Sequence, residues 1–259
     1  LHLSIRRQRQ MCIRDRTFHA LRCKPMDNWL DAYHGRWVNP LTSHGGDMRR
    51  MIILGAGGLG RQVLARVEAD VACGIDWIIA GFLDERGPEV VAEILNCPWL
   101  GYPEHFQPQS DDLFIVAIGD PASREKQVKL LLGKGAKFID YGRPGFLGVR
   151  TAWGPTFFGY DVSCGVDSQI GNYCFIDQDS MIGHDVVIGD YVHIAPRCLL
   201  AGYVKVGNGV VINSGAMLSR GVTVGDGAVI GMGAVVFKDV PAGATVVGNP
   251  ARVIFTKQD

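Results

Sequence analysis

The sequence predicts two joined folds, an α/β domain on a parallel sheet followed by a parallel β-helix. Three observations carry this. A glycine-rich turn, GAGGLG at 55–60, directly follows the apolar run MIIL. Strand-like and helical patterns then alternate as far as residue 140, which implies parallel strands joined by helices. From Ile170 an aliphatic residue recurs at every sixth position, twelve times without a break.

The first half reads strand, turn, helix from Met51. In MIILGAGGLGRQVLARVEADVAC, the residues Val63, Leu64, Val67 and Val71 keep helical spacing. A second strand, WIIAGFLDE (77–85), ends in Asp84 and Glu85, and a third, DDLFIVAIGD (111–120), reaches Gly119. SREKQVKLLLGKG reads as a helix before the strand AKFID. Ligands of such sheets bind at the carboxyl ends of the strands. Gly55 permits the tight turn, Gly57 lets the backbone approach a phosphate, and Gly60 allows close helix–sheet packing. The helix start offers free N–H groups and a positive dipole end to an anion. Asp84, 24 residues beyond Gly60, stands where a ribose-binding carboxylate belongs. The bland alternative is a tight turn without a ligand. About 90 residues make only one mononucleotide half, which suits a mononucleotide or a nucleotide-linked sugar better than NAD.

The second half is the repeat. Ile170, Ile176, Ile182, Ile188, Ile194, Leu200, Val206, Ile212, Leu218, Val224, Ile230 and Val236 are in phase, and Ala242 continues the register. Four residues after each comes a small or β-branched residue, from Cys174 to Val240, and glycine often follows the aliphatic position, as at Gly171, Gly183 and Gly189. A period of six fits neither a helix nor simple strand alternation; it is the signature of a parallel β-helix. Three hexads make one coil, so residues eighteen apart stack about 4.8 Å from each other, and the C-terminal segment caps the last coil. Cys174 and Cys198 fall at the small inward position, as core thiols rather than nucleophiles.

Composition excludes several classes. The formal net charge is zero, but residues 1–50 hold ten Lys/Arg against four Asp/Glu, leaving an acidic body that argues against a nucleic-acid binder. Seven cysteines without a CxxC pair point to reduced thiols in a cytoplasmic protein, with neither a disulfide framework nor a metal site. No apolar run approaches the roughly 18 residues of a membrane span, and the basic start lacks the roughly 7–15 apolar residues of a signal peptide. The stretch RQRQMCIRDR resembles translated sequencing-adapter sequence, which would place the native start at Met48 or Met51; the alternative is a basic arm that binds a partner. The expected division is a non-native or disordered extension (1–50), a Rossmann-like nucleotide-binding domain (51–140), a linker (141–157) and the β-helix (158–259).

Within the regular repeat the histidines are His184 and His193. His184 occupies a turn-side position, so its ring projects out of the prism. One coil later stands Gly202 and a further coil on Arg220, which leaves room for a substrate above the histidine and exposes the Gly202 N–H. Asp185 could orient the imidazole and raise its basicity. The alternative is an inert surface His-Asp turn.

From Met51 the chain resembles the sugar O/N-acyltransferases of the NeuD/PglD type, which join a Rossmann-like domain to a left-handed β-helix. The carrying motifs are GAGGLG, FLDE, AIGD, GHDVVIGDYVHIAP with LLAG, and VVGNPARVI. The resemblance implies an acetyl-CoA-dependent acyltransferase acting on an amine or hydroxyl of a nucleotide-linked sugar or sialic acid in polysaccharide biosynthesis, without a metal and as a homotrimer with CoA between prisms. It makes His184 the general base and Asp185 the group that enhances its basicity. His193, Gly202, Ser214 and Met232 correspond to positions along the acetyl-CoA groove; Arg252 or Arg220 would meet CoA phosphates, with a surface salt bridge the equal alternative for either. Gly57, Gly58, Leu59, Asp84, Glu85 and Gly119 match the nucleotide-sugar site. Leu59 departs from the histidine common there, and DYGRPG (140–145) replaces the usual His-Pro leading into the β-helix. A γ-type carbonic anhydrase would need three histidines, and an NAD oxidoreductase leaves the hexads unexplained. An inactive scaffold or nucleotide-sugar-binding protein is the remaining alternative.

Overall fold

The computed structural model describes residues 49–72, 77–91, 97–142 and 144–257. The expectations for the extension, for Met48 as the start, and for Cys12, Cys23 and Cys73 lie outside these residues, as does the side chain of Val71.

The front domain is a five-stranded parallel sheet in the order β3-β2-β1-β4-β5. Its strands are β1 (Arg49–Leu54), β2 (Trp77–Leu83), β3 (Trp99–Gly101), β4 (Asp112–Val116) and β5 (Lys137–Phe138). Met51, Ile52, Ile53 and Leu54 are all buried, as a strand covered on both faces requires. Helix α1 (Gly58–Ala72) packs Val63, Leu64 and Val67 with Met51 and Ile53. Helix α2 (Pro121–Leu132) packs Val128 and Leu131 with Ile52, Leu54 and Phe114 on the other side. Asp120 caps α2 by accepting from the Ser123 N–H at 2.7 Å, and Pro121 opens its first turn. The strand order reverses between β1 and β4, which leaves a crevice at their carboxyl ends.

Two-residue strands from β6 (Tyr141–Gly142) to β22 (Val235–Val236) then wind a left-handed β-helix of three parallel sheets. One face carries Met181–Ile182, Leu199–Leu200, Met217–Leu218 and Val235–Val236. The next carries Gln169–Ile170, Val187–Ile188, Lys205–Val206 and Thr223–Val224. The third carries Phe157–Phe158, Phe175–Ile176, His193–Ile194, Val211–Ile212 and Val229–Ile230. We call these the methionine, lysine and aromatic faces. In each pair the second residue fills the interior, together with the residue four positions on, such as Cys174 and Cys198. Burial pushes the Cys164 and Cys198 thiols up to about 11 and that of Cys174 up to about 12, so none is a ready thiolate. The antiparallel pair β23 (Ala244–Val247) and β24 (Arg252–Thr256) closes the last coil on the aromatic face.

The coil geometry makes two demands. A Cβ on Gly183 would stand 2.7 Å from the Gly202 nitrogen of the next coil, so the glycine after the aliphatic position permits stacking. As far as Gly233, the third residue after each inward strand residue from Cys164 on is left-handed: Asp167, Tyr173, Asp179, Asp185, Tyr191, Arg197 and Tyr203 in the early coils, then glycines from Gly209.

Two stretches differ from the sequence expectation. Residues 141–157, expected as a linker, supply early strands of the β-helix, with Ile170 paired to Trp153 and Cys164 to Leu147. These pairs are one residue short of the later eighteen-residue spacing, so strict counting in sixes passes over them. Ala242 is exposed, while Val240, Ala244 and Val246 are buried instead. The chain is shortened there too, because Ile230 pairs with Val246.

The two folds meet on the aromatic face. Tyr141, Phe157, Phe175 and His193 stack in register beneath apolar residues of the front domain. The Phe157 and Phe175 rings lie 4.3 Å apart at 9° and the Phe175 and His193 rings 5.5 Å apart at 7°. The Arg66 guanidinium covers Phe157 and Tyr160 at 4.9 and 4.3 Å, and the Tyr141 hydroxyl donates to Asp70 at 2.6 Å. Phe175→Ala should therefore cost about 3–5 kcal/mol in chemical denaturation, with the front domain released first.

Candidate active site

His184 stands at the corner between the methionine and lysine faces, immediately after Met181–Ile182. Its Nδ1 lies 2.7 Å from Asp185 Oδ2. A carboxylate only accepts, so Nδ1 donates to it, and in the neutral imidazole this tautomer leaves the Nε2 lone pair free. Asp185 reaches back because its backbone is left-handed, with φ 57°, and its N–H is anchored on the Val166 carbonyl at 3.0 Å. The ring is half-exposed.

Gly202 sits one coil above, as expected, but the space it leaves is filled by the histidine itself. A Cβ there would be 2.7 Å from His184 Nε2 and 2.8 Å from Cε1. Tyr203 packs edge-on to the imidazole at 5.0 Å and 87°, and Arg220 lies over the Tyr203 ring at 4.7 Å. Sequence reasoning missed Tyr203. The signal was present, since Tyr203 is eighteen residues beyond Asp185, in the same left-handed column.

The second site is the crevice of the front domain, a cleft of about 940 Å³ lined by Gly57, Gly58, Leu59, Asp84, Glu85 and Gly119 among others. All six acceptor-site candidates therefore converge. Gly55 has φ 103°, and a Cβ on Gly60 would fall 2.1 Å from the Gly55 carbonyl. Leu59 leans against Gly119, whose added Cβ would stand 3.4 Å from its Cδ1. Asp84 is buried and fully engaged. Its Oδ2 accepts from the Ala56 N–H and from Arg86 Nη2, both at 2.7 Å, while Oδ1 accepts from the Arg86 N–H and Nε, both at 2.9 Å. Burial raises its pKa, but the bonds from Arg86 and Ala56 outweigh this and hold the carboxyl below its ordinary 3.8. Asp84 thus clamps the glycine turn and Arg86 together. Glu85 accepts from Gln127 and, at 3.2 Å, from Lys126. Arg86, which sequence reasoning also missed, holds its guanidinium beside the glycine turn, 3.5 Å from where a Gly57 Cβ would be. That is a cation where a phosphate would sit.

The remaining candidates are spread around the prism. Ser214 and the exposed Met232 stack on the corner between the aromatic and methionine faces, where the Gly233 N–H donates to the Ser214 carbonyl at 2.9 Å. Arg252 is exposed in β24 and donates to the Ala251 carbonyl at 2.8 Å. His193 is largely buried on the aromatic face, away from His184, and its Nδ1 has no hydrogen-bond partner among the described residues. One chain thus brings together His184, Asp185 and Gly202, but not His193, Ser214, Met232 or Arg252. Among the described residues no cluster of three His, Cys, Asp or Glu could hold a metal, and no helix is long and apolar enough to cross a membrane.

Family models match both halves. Residues 50–131 match the PglD N-terminal domain, and residues 167–202 and 203–238 match the bacterial transferase hexapeptide (six repeats). Among solved structures, a mutant perosamine N-acetyltransferase from Caulobacter crescentus, in complex with CoA and GDP-perosamine, is 27% identical over 84% of this chain and 99% of that one, with a TM-score of 0.70. The acetyltransferase domain of PglB from Neisseria gonorrhoeae, in complex with acetyl coenzyme A, is 25% identical over 80% and 100%, with a TM-score of 0.71. Both halves of the chain are thus similar to the NeuD/PglD type of sugar acyltransferases. WeeI from Acinetobacter baumannii, at 28% identity over 79% and 99% with a TM-score of 0.60, shares the arrangement. Comparison with the curated proteins gives no match.

The burial of His193 has a measurable consequence. Burial first, and the charge of Arg124 second, push its pKa from 6.5 down to about 4. Between those pH values the unfolded chain binds a proton that the folded one refuses, so stability falls as pH drops through the window. His193→Phe, which keeps the stack on Phe175, should remove up to about 3 kcal/mol of this acid sensitivity. Urea titrations at pH 7.5 and 4.5 read the difference between variant and wild type.

Proposed function

We propose that the protein transfers an acetyl group from acetyl-CoA to an amine or hydroxyl of a nucleotide-linked sugar. The observation that carries this is the His184–Asp185 pair at 2.7 Å, on a half-exposed corner of the prism. The solved relatives bound to CoA, acetyl coenzyme A and GDP-perosamine support the donor and the acceptor class. Nε2 takes the proton of the attacking amine as a C–N bond forms at the thioester carbonyl. The C–S bond then breaks and the proton passes to the departing CoA thiolate. General-base assistance of this kind contributes roughly 10²–10⁴-fold. Asp185 stabilises the imidazolium that forms, and Tyr203 holds the ring in place. We assign the nucleotide phosphates to the GAGGLG turn beside Arg86, because backbone N–H groups and a cation favour anions there.

The site needs a second copy. The front domain covers the aromatic face, whereas His184 and Gly202 line one edge of the methionine face and Ser214 and Met232 line the other. Between these edges Met181, Leu199 and Met217 form an exposed apolar row of the sort that marks an interface. We place the neighbouring prism of a homotrimer on this face, with CoA in the groove between prisms. The donor and the acceptor class are both cytoplasmic metabolites, so we assign the protein to that compartment.

Incubation with acetyl-CoA and a panel of UDP-, GDP- and CMP-linked amino sugars and sialic acids, followed by mass spectrometry, should show a 42-Da gain on one acceptor. That mass is about that of an acetyl group replacing a hydrogen, and His184→Ala should lower the rate at least about 10²-fold with the fold intact. Gly202→Ala should act alike, because its methyl displaces the ring. Full activity in His184→Ala would overturn the mechanism, and no acetylated product from the wild type would favour a scaffold. Separately, Met217→Glu should convert a trimer to monomers in sedimentation and abolish turnover.

A further inference from the structure

Beside the packing of Tyr173 and Tyr191 against the cluster of Val128 and Leu131, one buried charged side chain of helix α2 reaches the prism. Arg124 is fully buried in the seam between the two folds. Its Nη1 donates to the Ile118 carbonyl at 2.7 Å, its Nη2 donates to the Tyr191 carbonyl, and its Nε has no partner among the described residues. Asp120, whose charge favours the guanidinium, is already bonded to the Ser123 N–H. Burying a guanidinium against carbonyls alone is costly, and an apolar residue of similar volume often serves stability as well or better. The two acceptors explain why an arginine stands here. Ile118 is on the rim of the nucleotide cleft beside Gly119. Tyr191 is the left-handed corner residue two positions before His193, with its ring stacked on Tyr173 at 5.4 Å. A planar fork with fixed donor directions spans the two in one geometry, which a flexible ammonium does not. Further polar ties across the seam, such as Arg66 to the Phe158 carbonyl and to Asp177, and Tyr141 to Asp70, come from later turns of α1 and do not touch the cleft rim.

We propose that Arg124 is a positioning residue for acyl transfer: its fork locks the Ile118–Asp120 rim of the acceptor cleft to the Tyr191 corner of the prism, so that an acceptor held by its nucleotide is presented in fixed register to a His184 of the assembly proposed above. This rests on the acyl-transfer function above. An acceptor held by the front domain depends on the lock, while a sugar without a nucleotide does not. Misplacement by about 1 Å can cost 10²-fold in rate.

The test compares Arg124→Met and Arg124→Lys with wild type on an accepted nucleotide-linked sugar and on the same sugar lacking the nucleotide. The expected result is a fall in kcat of at least about tenfold on the linked acceptor, with the KM for acetyl-CoA and kcat/KM for the free sugar within about twofold of wild type. Equal losses on both acceptors, or no loss on either, would overturn the proposal. Should Arg124→Met not fold, Arg124→Lys, which keeps the charge and one donor, decides the matter. Amide exchange of the ligand-free protein gives an arm that needs no turnover. In Arg124→Lys, exchange should quicken at least about tenfold at 118–123 and 189–193 together, and stay unchanged at 205–236. Acceleration confined to α2, or spread over the whole prism, contradicts the lock. If the wild type acetylates nothing, the proposed function fails, and the exchange arm still decides whether Arg124 couples rim and prism.

Discussion

Every coil of the prism must satisfy two conditions at once. Its short strands donate to the coil above, as Met181 N does to the Cys198 carbonyl at 2.8 Å, and an aliphatic side chain fills the interior at the same level. Since residues on adjacent coils stand only about 4.8 Å apart, the corners have almost no freedom. A Cβ on Gly165 would meet the His184 nitrogen at 2.6 Å, as one on Gly183 would meet Gly202. The outward direction of His184 and the left-handed backbone of Asp185 are therefore imposed by stacking and do not have to be ordered when a substrate binds. This is the rigid support that an acid–base group needs.

The front domain rests on the same constraint from outside. A flat face whose residues rise in register presents Phe157, Phe175 and His193 as one column of parallel rings, onto which α1 packs. His193 is largely covered as a consequence of standing in this column, and its low pKa keeps it neutral there. Within the cleft, electrostatics is equally local. Asp84 neutralises part of the Arg86 charge and also ties the Ala56 N–H, so the turn is shaped before any nucleotide arrives. A carboxylate read in isolation as a ribose ligand is better described as the clamp that aims a cation.

The arrangement of corners is also the reason for placing the proposed chemistry in a proposed assembly. The corner with His184 and the corner with Ser214 bound a single exposed apolar face, and the front domain occupies another. A monomer would leave that face open to water. In a trimer, the groove gains walls from two chains, and exclusion of water strengthens the His184–Asp185 interaction.

The amino-acid sequence alone determined the β-helix, its inward residues and the outward placement of His184 beside Asp185, because a six-residue period is local and each hexad obeys it separately. The GAGGLG turn was legible for the same reason, since Gly55 and Gly60 answer to steric demands within six residues of chain. The early coils were not, because Leu147 and Trp153 pair one residue out of phase, and such a slip is visible only when neighbouring coils are seen together. Tertiary structure alone decided that His193 lies in the seam, that Tyr203 and Arg220 back the imidazole, and that Arg124 spans rim and prism. Each of these depends on which faces meet across 60 to 70 residues or across adjacent coils, and burial, which sets their charge state and partners, exists only after the faces have met.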